Sequence, residues 1–271
     1  MDNRSIDALL VRKKPFVIAI ANGKGGVGKT TTALAVGTIL ARRGLKILCI
    51  DLDPQGNLAL SLGYKPHRMP PSPGNMPTAG TLFAGDSYPT QHENIHLVYA
   101  RSLIVDNAYQ IRVNTGEDLF FLGQDLSVIR SLPYDYVIID CPPSLGKIIS
   151  NALFTSDFLI IPSQAEYFST TALKDMMEMI EMVQKATKTA LPYRILITLF
   201  DRRNQIHNDL KQQLNSKYGS AVFGTIIETD NSLRQIAILG FPTTSSRGGK
   251  QYRNFVDELM DNIQNAQTAQ E

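Results

Sequence analysis

Phe16-Val-Ile-Ala-Ile-Ala-Asn-Gly-Lys-Gly-Gly-Val-Gly-Lys-Thr-Thr-Thr32 is the stretch on which the fold turns. Phe16 to Ala21 is an apolar, β-branched run of the kind that makes a strand buried on both faces, and the chain then changes abruptly to glycines and lysines. From Gly23 onward it satisfies G-x-x-x-x-G-K-[ST], closed by Gly28, Lys29 and Thr30, and a helical segment, Thr31 to Arg43, follows. Glycines allow successive backbone N–H groups to converge on one point, and a helix N-terminus directs its partial positive charge to the same point. The stretch therefore reads as a phosphate cradle, with Lys29 expected to reach the β- and γ-phosphates and Thr30 to offer its hydroxyl to Mg²⁺. A chance glycine-rich turn is the alternative, and the strand before it and the helix after it argue against that. Lys24, inside the loop, is a second lysine; on pattern alone it also reads as a solvated surface cation.

The chain has 271 residues, enough for one α/β domain with a full core, and no linker divides it. Hydrophobic residues make up 43% and charged ones 19%, the balance of an ordinary soluble globule, and no apolar run approaches the length of a membrane span. Met1-Asp-Asn-Arg-Ser lacks the order of a signal peptide, so a cytosolic protein is expected. Cys49 and Cys141 fall in or beside apolar runs, outside any C-x-x-C or Cys/His cluster, and are expected to be buried and reduced, with no zinc or iron–sulfur site. A net charge of +2 is too small to imply a polyanionic partner unless it is gathered on one face.

Along the chain, residues 1 to 14 read as an N-terminal extension, 15 to 264 as one domain, and 265 to 271 as a polar tail. Gly44 marks the end of the first helix, and Leu45 to Asp51 is the next strand. It runs into Asp51-Leu-Asp53-Pro-Gln-Gly-Asn57, two acids leaving the carboxyl end of a strand, where open α/β sheets bind ligands. They suit the hydration shell of Mg²⁺ or an attacking water; capping of the next helix is the plainer alternative. Residues 65 to 90, with Pro66, Pro70, Pro71, Pro73 and Pro77, read as an irregular insertion. Ile95 to Ala100 reads as a strand and Glu117 to Leu132 as a helix. Tyr134 to Asp140 is a buried strand ending in an acid, followed by Cys141-Pro-Pro-Ser-Leu-Gly146. Beyond a phosphate loop that is the Walker B arrangement, in which Asp140 holds a water of Mg²⁺. Strands are expected at Phe158–Pro162, Tyr193–Phe200 and Ala221–Ile227, and helices at Ser169–Thr187, Asn204–Tyr218, Asn231–Leu239 and Gly249–Gln264. Met176, Met177, Met179 and Met182 share one of these helices, as core packing or in part as an adaptable partner surface. The alternation predicts an α/β P-loop NTPase: a mostly parallel, twisted sheet with helices on both faces.

Lys24-Gly-Gly-Val-Gly-Lys-Thr30, Asp51-x-Asp-Pro-Gln-Gly-Asn57, Tyr136-Val-Ile-Ile-Asp-Cys-Pro-Pro-Ser144 and Ser246-Arg-Gly-Gly, in that order, closely resemble the deviant Walker A ATPases of the ParA/Soj type, over roughly residues 15 to 262. The resemblance implies ATP and Mg²⁺ as cofactors, with the nucleotide on Gly25, Gly26, Val27, Gly28, Lys29, Thr30 and Thr31, the last near the α-phosphate. It makes Lys24 the signature lysine that crosses to the phosphates of a second subunit, so that two ATP molecules are sandwiched in a homodimer. A cation supplied in trans works there as an arginine finger does. Asp53 matches the acid that orients the attacking water, and Asp51 and Asp140 match the Mg²⁺-shell acids. Lys24, Lys29 and Asp53 are thus the expected catalytic residues, and hydrolysis is expected to be slow until a ParB-like adaptor stimulates it. The family also implies non-specific binding of double-stranded DNA, a nucleoid-associated cytoplasmic location and no membrane contact. Arg202, Arg203, Arg234, Arg247, Lys250 and Arg253 are the DNA-contact candidates, the paired arginines first, the others equally readable as a solvated face. Leu233 stands where the family often has arginine.

A MinD-like membrane ATPase should end in a basic amphipathic helix, whereas this chain ends acidic and polar from Val256 to Glu271. A nitrogenase-reductase-like protein needs cluster cysteines at other positions. A metabolic P-loop ligase or synthase needs a small-substrate pocket that the sequence does not display.

Overall fold

The computed structural model describes residues 15–64, 88–99, 132–166, 169–234 and 246–268. Seven strands form one sheet in the order β3-β4-β2-β5-β1-β6-β7. They are β1 (Phe16–Ile20), β2 (Ile47–Asp51), β3 (Tyr88–Pro89), β4 (Ile95–Tyr99), β5 (Tyr136–Asp140), β6 (Phe158–Gln164) and β7 (Tyr193–Thr198). All neighbours pair in parallel except β3, which runs antiparallel to β4 at the edge. The helices are α1 (Lys29–Arg42), α2 (Asn57–Ser61), α3 (Lys147–Thr155), α4 (Ser169–Thr187), α5 (Gln205–Tyr218), α6 (Asn231–Arg234) and α7 (Arg247–Thr268).

Two-residue periodicity explains the layers. On β1, Val17 and Ala19 point into a core shared with α3, α4 and α5, while Ile18 and Ile20 point into a second core shared with α1, α2 and α7. Helix α1 is buried almost all round, which its Ala- and Leu-rich sequence permits. It ends at Gly44, φ 85°, where Gly44 N–H donates to Ala41 O and Leu45 N–H to Leu40 O, the paired bonds of a glycine-terminated helix. Cys49 and Cys141 are buried free thiols. Met176 is buried, Met177 and Met179 pack against the core, and Met182 is half exposed.

Several expectations need correction. Ala221–Ile227 is not a regular strand: a 3₁₀ turn covers Gly219–Ala221, and the following segment makes only two isolated bridges, Ile195 with Val222 and Phe200 with Glu228. The N–H groups of Gly224 and Thr225 are taken by the Glu258 carboxylate of α7, at 2.6 and 2.8 Å, so they cannot continue a ladder. Helix α2 is the short helix that follows the 51–57 acids, α3 adds to the expected set, and α7 begins at Arg247 rather than Gly249 and runs to Thr268 rather than ending at Gln264. The N-terminal extension, residues 65–87 of the proline-rich insertion, all of the helix expected at Glu117–Leu132 except Leu132, and the second half of the one expected at Asn231–Leu239 lie outside the described residues.

Candidate functional site

The cradle spans the gap between the end of β1 and the start of α1. Gly26 (φ 75°) and Gly28 (φ 85°) sit in the left-handed region, which lets the loop curl before the first helical turn. No side chain caps α1, so its leading N–H groups keep their donor capacity at the mouth of the loop. The loop is fixed from beneath by other strands. Asn22 Nδ2 donates to Pro162 O at 2.7 Å, Asn22 Oδ1 accepts from Lys24 N–H at 2.9 Å, and Thr198 Oγ1 donates to Val27 O at 2.8 Å. Lys29 is buried, with Nζ donating to Lys24 O at 2.8 Å. Burial lowers its pKa, and the nearby Asp140, Cys141 and Asp53 oppose that shift.

Beneath the loop, Asp51 and Asp140 stand in register on adjacent strands, both wholly buried. Asp51 serves the backbone: Oδ1 accepts from Asp53 N–H at 3.1 Å and Oδ2 from Ala59 N–H at 2.9 Å, folding the 52–56 turn back against α2. Neither carboxylate oxygen of Asp140 has a hydrogen-bond partner, although the Thr30 hydroxyl is near enough to favour its charged form. Burial pushes both carboxyls above the usual range, and at Asp140 the Asp51 charge adds to it. Two orphaned, buried carboxylate oxygens beside a threonine hydroxyl fit a hydrated Mg²⁺, which Thr30 and Asp140 would hold with Asp51 behind them. No cluster of three or more His, Cys, Asp or Glu side chains suited to a metal occurs among the described residues, so a cation here would take most ligands from phosphate and water.

Asp53 is nearly buried, its Oδ1 accepting from Gln55 N–H at 2.9 Å and its carbonyl from Gly56 N–H at 2.9 Å. Gly56 has φ 65°, and a Cβ there would lie 2.4 Å from Tyr99 Oη, which donates to Pro54 O at 3.0 Å. Only glycine allows this turn.

The phosphate loop and Asp53 open onto a cleft of about 560 Å³. One wall is Gly25, Gly26, Gly28, Lys29, Thr30, Thr31 and Asp53. The other, which the sequence did not point to, comes from Thr198, Leu199, Ile227, Thr229, Asp230, Leu233 and Tyr252. Leu199, at φ 51°, is a bulky residue in the left-handed region at the turn after β7. Tyr252 Oη is 3.1 Å from Thr32 Oγ1, tying α7 to the phosphate-loop helix. Asp230, pushed up by burial but held below the usual carboxylate range by the N–H groups of Ser232 and Gly248, joins the starts of α6 and α7. In the Ser246-Arg-Gly-Gly motif, Ser246 Oγ accepts from Gly249 N–H, and a Cβ at Gly248 would lie 2.7 Å from Leu233. The only signal for this wall was that motif and the return of the chain to the carboxyl edge after β7.

Lys24 does not point into the cleft; Nζ lies 2.5 Å from Glu166 Oε2 at the end of β6, in a partly exposed pair. Among the basic candidates, Arg202 and Arg247 converge on one carboxylate, Glu228, at 2.5 and 2.9 Å. Arg203 is tied to Asp201 at 3.0 Å, Lys250 is exposed on α7, and Arg253 is half-buried. Arg234 closes α6, with its side chain outside the described residues.

Comparison with known proteins shows the company this chain keeps. Residues 16–193 match the family model described as an AAA domain. The chromosome-partitioning ATPase Soj of Thermus thermophilus is 31% identical over 266 residues, covering 95% of this chain and all of that protein. Two solved structures align with a TM-score of 0.72. One is a plasmid partition protein of Borrelia burgdorferi bound to AMPPNP (27% identical, 92% of this chain and 100% of that one). The other is cobyrinic acid a,c-diamide synthase of Mycobacterium smegmatis with an ATP analogue and magnesium (30% identical, 91% and 94%).

Proposed function

The chain belongs to the ParA/Soj type of P-loop ATPases, and from that premise we propose that it is an ATP-driven dimerisation switch that binds DNA and positions a cargo. ATP and Mg²⁺ are its cofactors, and it hydrolyses ATP. The observation that carries the reading is the division of labour between two lysines. Lys29 is buried within the cleft, while Lys24, five residues earlier on the same loop, faces outward against an exposed acid.

In this reading Lys29 and the loop N–H groups take the phosphates, and Thr30 and Asp140 would hold the cation, with Asp51 fixing the turn that presents Asp53. When bound, Mg²⁺ would supply charge neutralisation to the phosphates. Asp53, braced by the Gln55 and Gly56 N–H groups, orients the attacking water, and Ile227, Leu233 and Tyr252 form an apolar wall for the nucleoside. Lys24 exchanges Glu166 for the phosphates of a second subunit, closing a dimer around two nucleotides. Neither histidine nor glutamate lines the cleft among the described residues, so turnover is slow, and a ParB-like adaptor accelerates it. The arginines around Glu228 contact the phosphodiester backbone of double-stranded DNA without reading its sequence, which gives a nucleoid-associated cytoplasmic protein. No helix among the described residues is long and apolar enough to cross a membrane.

The test is binding to random-sequence duplex DNA with ATP, ADP or no nucleotide at several salt concentrations. Binding confined to ATP and falling steeply with salt is expected, together with loss of the ATP-dependent dimer in Lys24→Ala. A dimer unaffected by that substitution would refute the role of Lys24. The mycobacterial synthase motivates a second reading, an ATP-dependent ligase or synthase, for which formation of a product from a small substrate would be decisive.

A further inference from the structure

We propose that Glu228 is a positioning residue that couples the nucleotide cleft to the DNA-binding surface by holding Arg202 and Arg247 as a preset pair; this rests on the reading of the chain as a DNA-binding switch. The segment 227–230 has two sides. Ile227, Thr229 and Asp230 line the cleft. Between them Glu228, only 7% exposed, turns its carboxylate to the opposite side, where Oε1 accepts from Arg202 Nε at 2.5 Å and Oε2 pairs with an Arg247 guanidinium nitrogen at 2.9 Å. The second terminal nitrogen of Arg247 donates to Thr229 O at 2.7 Å, on a residue that itself lines the cleft. The backbone is anchored as well: Glu228 N–H donates to Gln251 Oε1 at 3.0 Å, Phe200 N–H donates to Ile227 O at 3.1 Å, Thr229 N–H donates to Phe200 O at 3.0 Å, and Ile227 N–H donates to Ile197 O of β7 at 2.9 Å.

The charges and exposures define what this arrangement does. One buried carboxylate neutralises one guanidinium, so the pair keeps a net positive charge. The arginine side chains are 76% and 59% exposed, against 9% for the side chain of Glu228. A rigid acid under two outward guanidinium groups removes rotamer freedom before any ligand arrives, and it leaves each fork with donors for a phosphate oxygen. Arg202 opens the loop after β7 and Arg247 begins α7, elements far apart in sequence, and the Glu228 carboxylate pairs with both. The same short segment forms the cleft wall. A nucleotide seated against Ile227 and Thr229 therefore acts on the arginine pair through two covalent neighbours of Glu228, and through Asp230, which caps the first turn of α7 at Gly248.

The experiment measures affinity for random-sequence duplex DNA, with Mg·ATP and Mg·ADP, for Glu228→Gln, Arg202→Gln/Arg247→Gln, the triple variant, and Arg247→Lys. Removing an acid from a basic surface should, on charge alone, tighten DNA binding. The positioning role predicts the opposite: Glu228→Gln weakens binding in the ATP state by about tenfold, the cost of re-ordering two long side chains, and narrows the ratio between ATP and ADP affinities. In the arginine-free background the same substitution has no further effect, because it acts through those side chains. Arg247→Lys keeps the charge but cannot bridge Glu228 and Thr229, and it weakens ATP-state binding at unchanged net charge. Equal or tighter binding by Glu228→Gln, an equal loss in both nucleotide states, an undiminished loss in the arginine-free background, or unaltered binding by Arg247→Lys each overturns the inference while leaving the ATP-gated DNA reading standing. If the unmodified protein binds no duplex in any nucleotide state, that reading falls and the inference with it.

Discussion

Asp140→Asn should make the nucleotide-free protein more stable and the Mg·ATP-bound protein less so. Asp140 is wholly buried, with no hydrogen bond to either oxygen, and faces a second buried acid in register across the sheet. Burial holds the Asp51 carboxyl up at about 7 against an ordinary 3.8, which corresponds to about 4 kcal/mol of unfavourable charging. Asp140 is displaced in the same direction, first by burial and then by Asp51. An isosteric amide removes one charge and can donate to its neighbours, but it also deprives Lys29 of its strongest opposing charge. A net gain of about 2 kcal/mol is therefore expected, since removing ill-compensated buried charge commonly stabilises by a few kcal/mol. For a domain of this size that raises Tm by about 3 to 4 °C.

The sign of the pH dependence follows from proton binding. A carboxyl whose folded pKa is raised holds its proton in the native state at pH values where the unfolded chain has already lost it. The stability this confers at acid pH is lost as pH rises through the displaced folded value, so the advantage of Asp140→Asn should be smaller at pH 5 than at pH 8. Saturating Mg·ATP at a hundredfold excess over Kd adds about 2.7 kcal/mol to the unmodified protein, and the variant, lacking the carboxylate that meets the cation, should gain much less. Thermal scans at both pH values, with EDTA or with Mg·ATP, give all four quantities. A variant less stable than the parent at pH 8 without nucleotide, or an offset equal at the two pH values, would show that the paired acids are not under electrostatic stress.

Two further substitutions probe the elements beside this pair. Gly56→Ala places a Cβ in a positive-φ turn and 2.4 Å from Tyr99 Oη, and it should cost about 2 to 3 kcal/mol in urea denaturation while displacing Asp53 and slowing turnover; stability unchanged within experimental error would mean the turn relaxes freely. Glu166→Gln releases Lys24 from a partly exposed ion pair whose worth is about 0 to 1 kcal/mol, and a closed dimer gives up one such pair in each subunit, so ATP-dependent dimerisation should tighten up to about thirtyfold; weaker dimerisation by sedimentation would show that Glu166 serves the closed state instead.

The central features of the site were legible in the residues because they are local. A strand, a glycine loop and a helix start occupy seventeen consecutive positions, and the acids at Asp51 and Asp140 each end an apolar run, so their placement at the carboxyl edge followed from strand direction. Chemistry carried by consecutive backbone groups can be read without knowing what lies opposite. The mistaken strand at Ala221–Ile227 shows where that stops: its β-branched residues favour extended backbone, but whether its N–H groups join the sheet depended on Glu258, more than thirty residues away. The second wall of the cleft, the outward set of Lys24 against Glu166, and the convergence of Arg202 and Arg247 on Glu228 are of the same kind. The chain by itself determined the sheet, the phosphate loop and the type of chemistry, since these rest on periodicity and on backbone geometry specific to glycine. Only the tertiary structure decided which charges are buried, paired or presented, because that depends on the packing of elements whose separation in sequence carries no information about their separation in space.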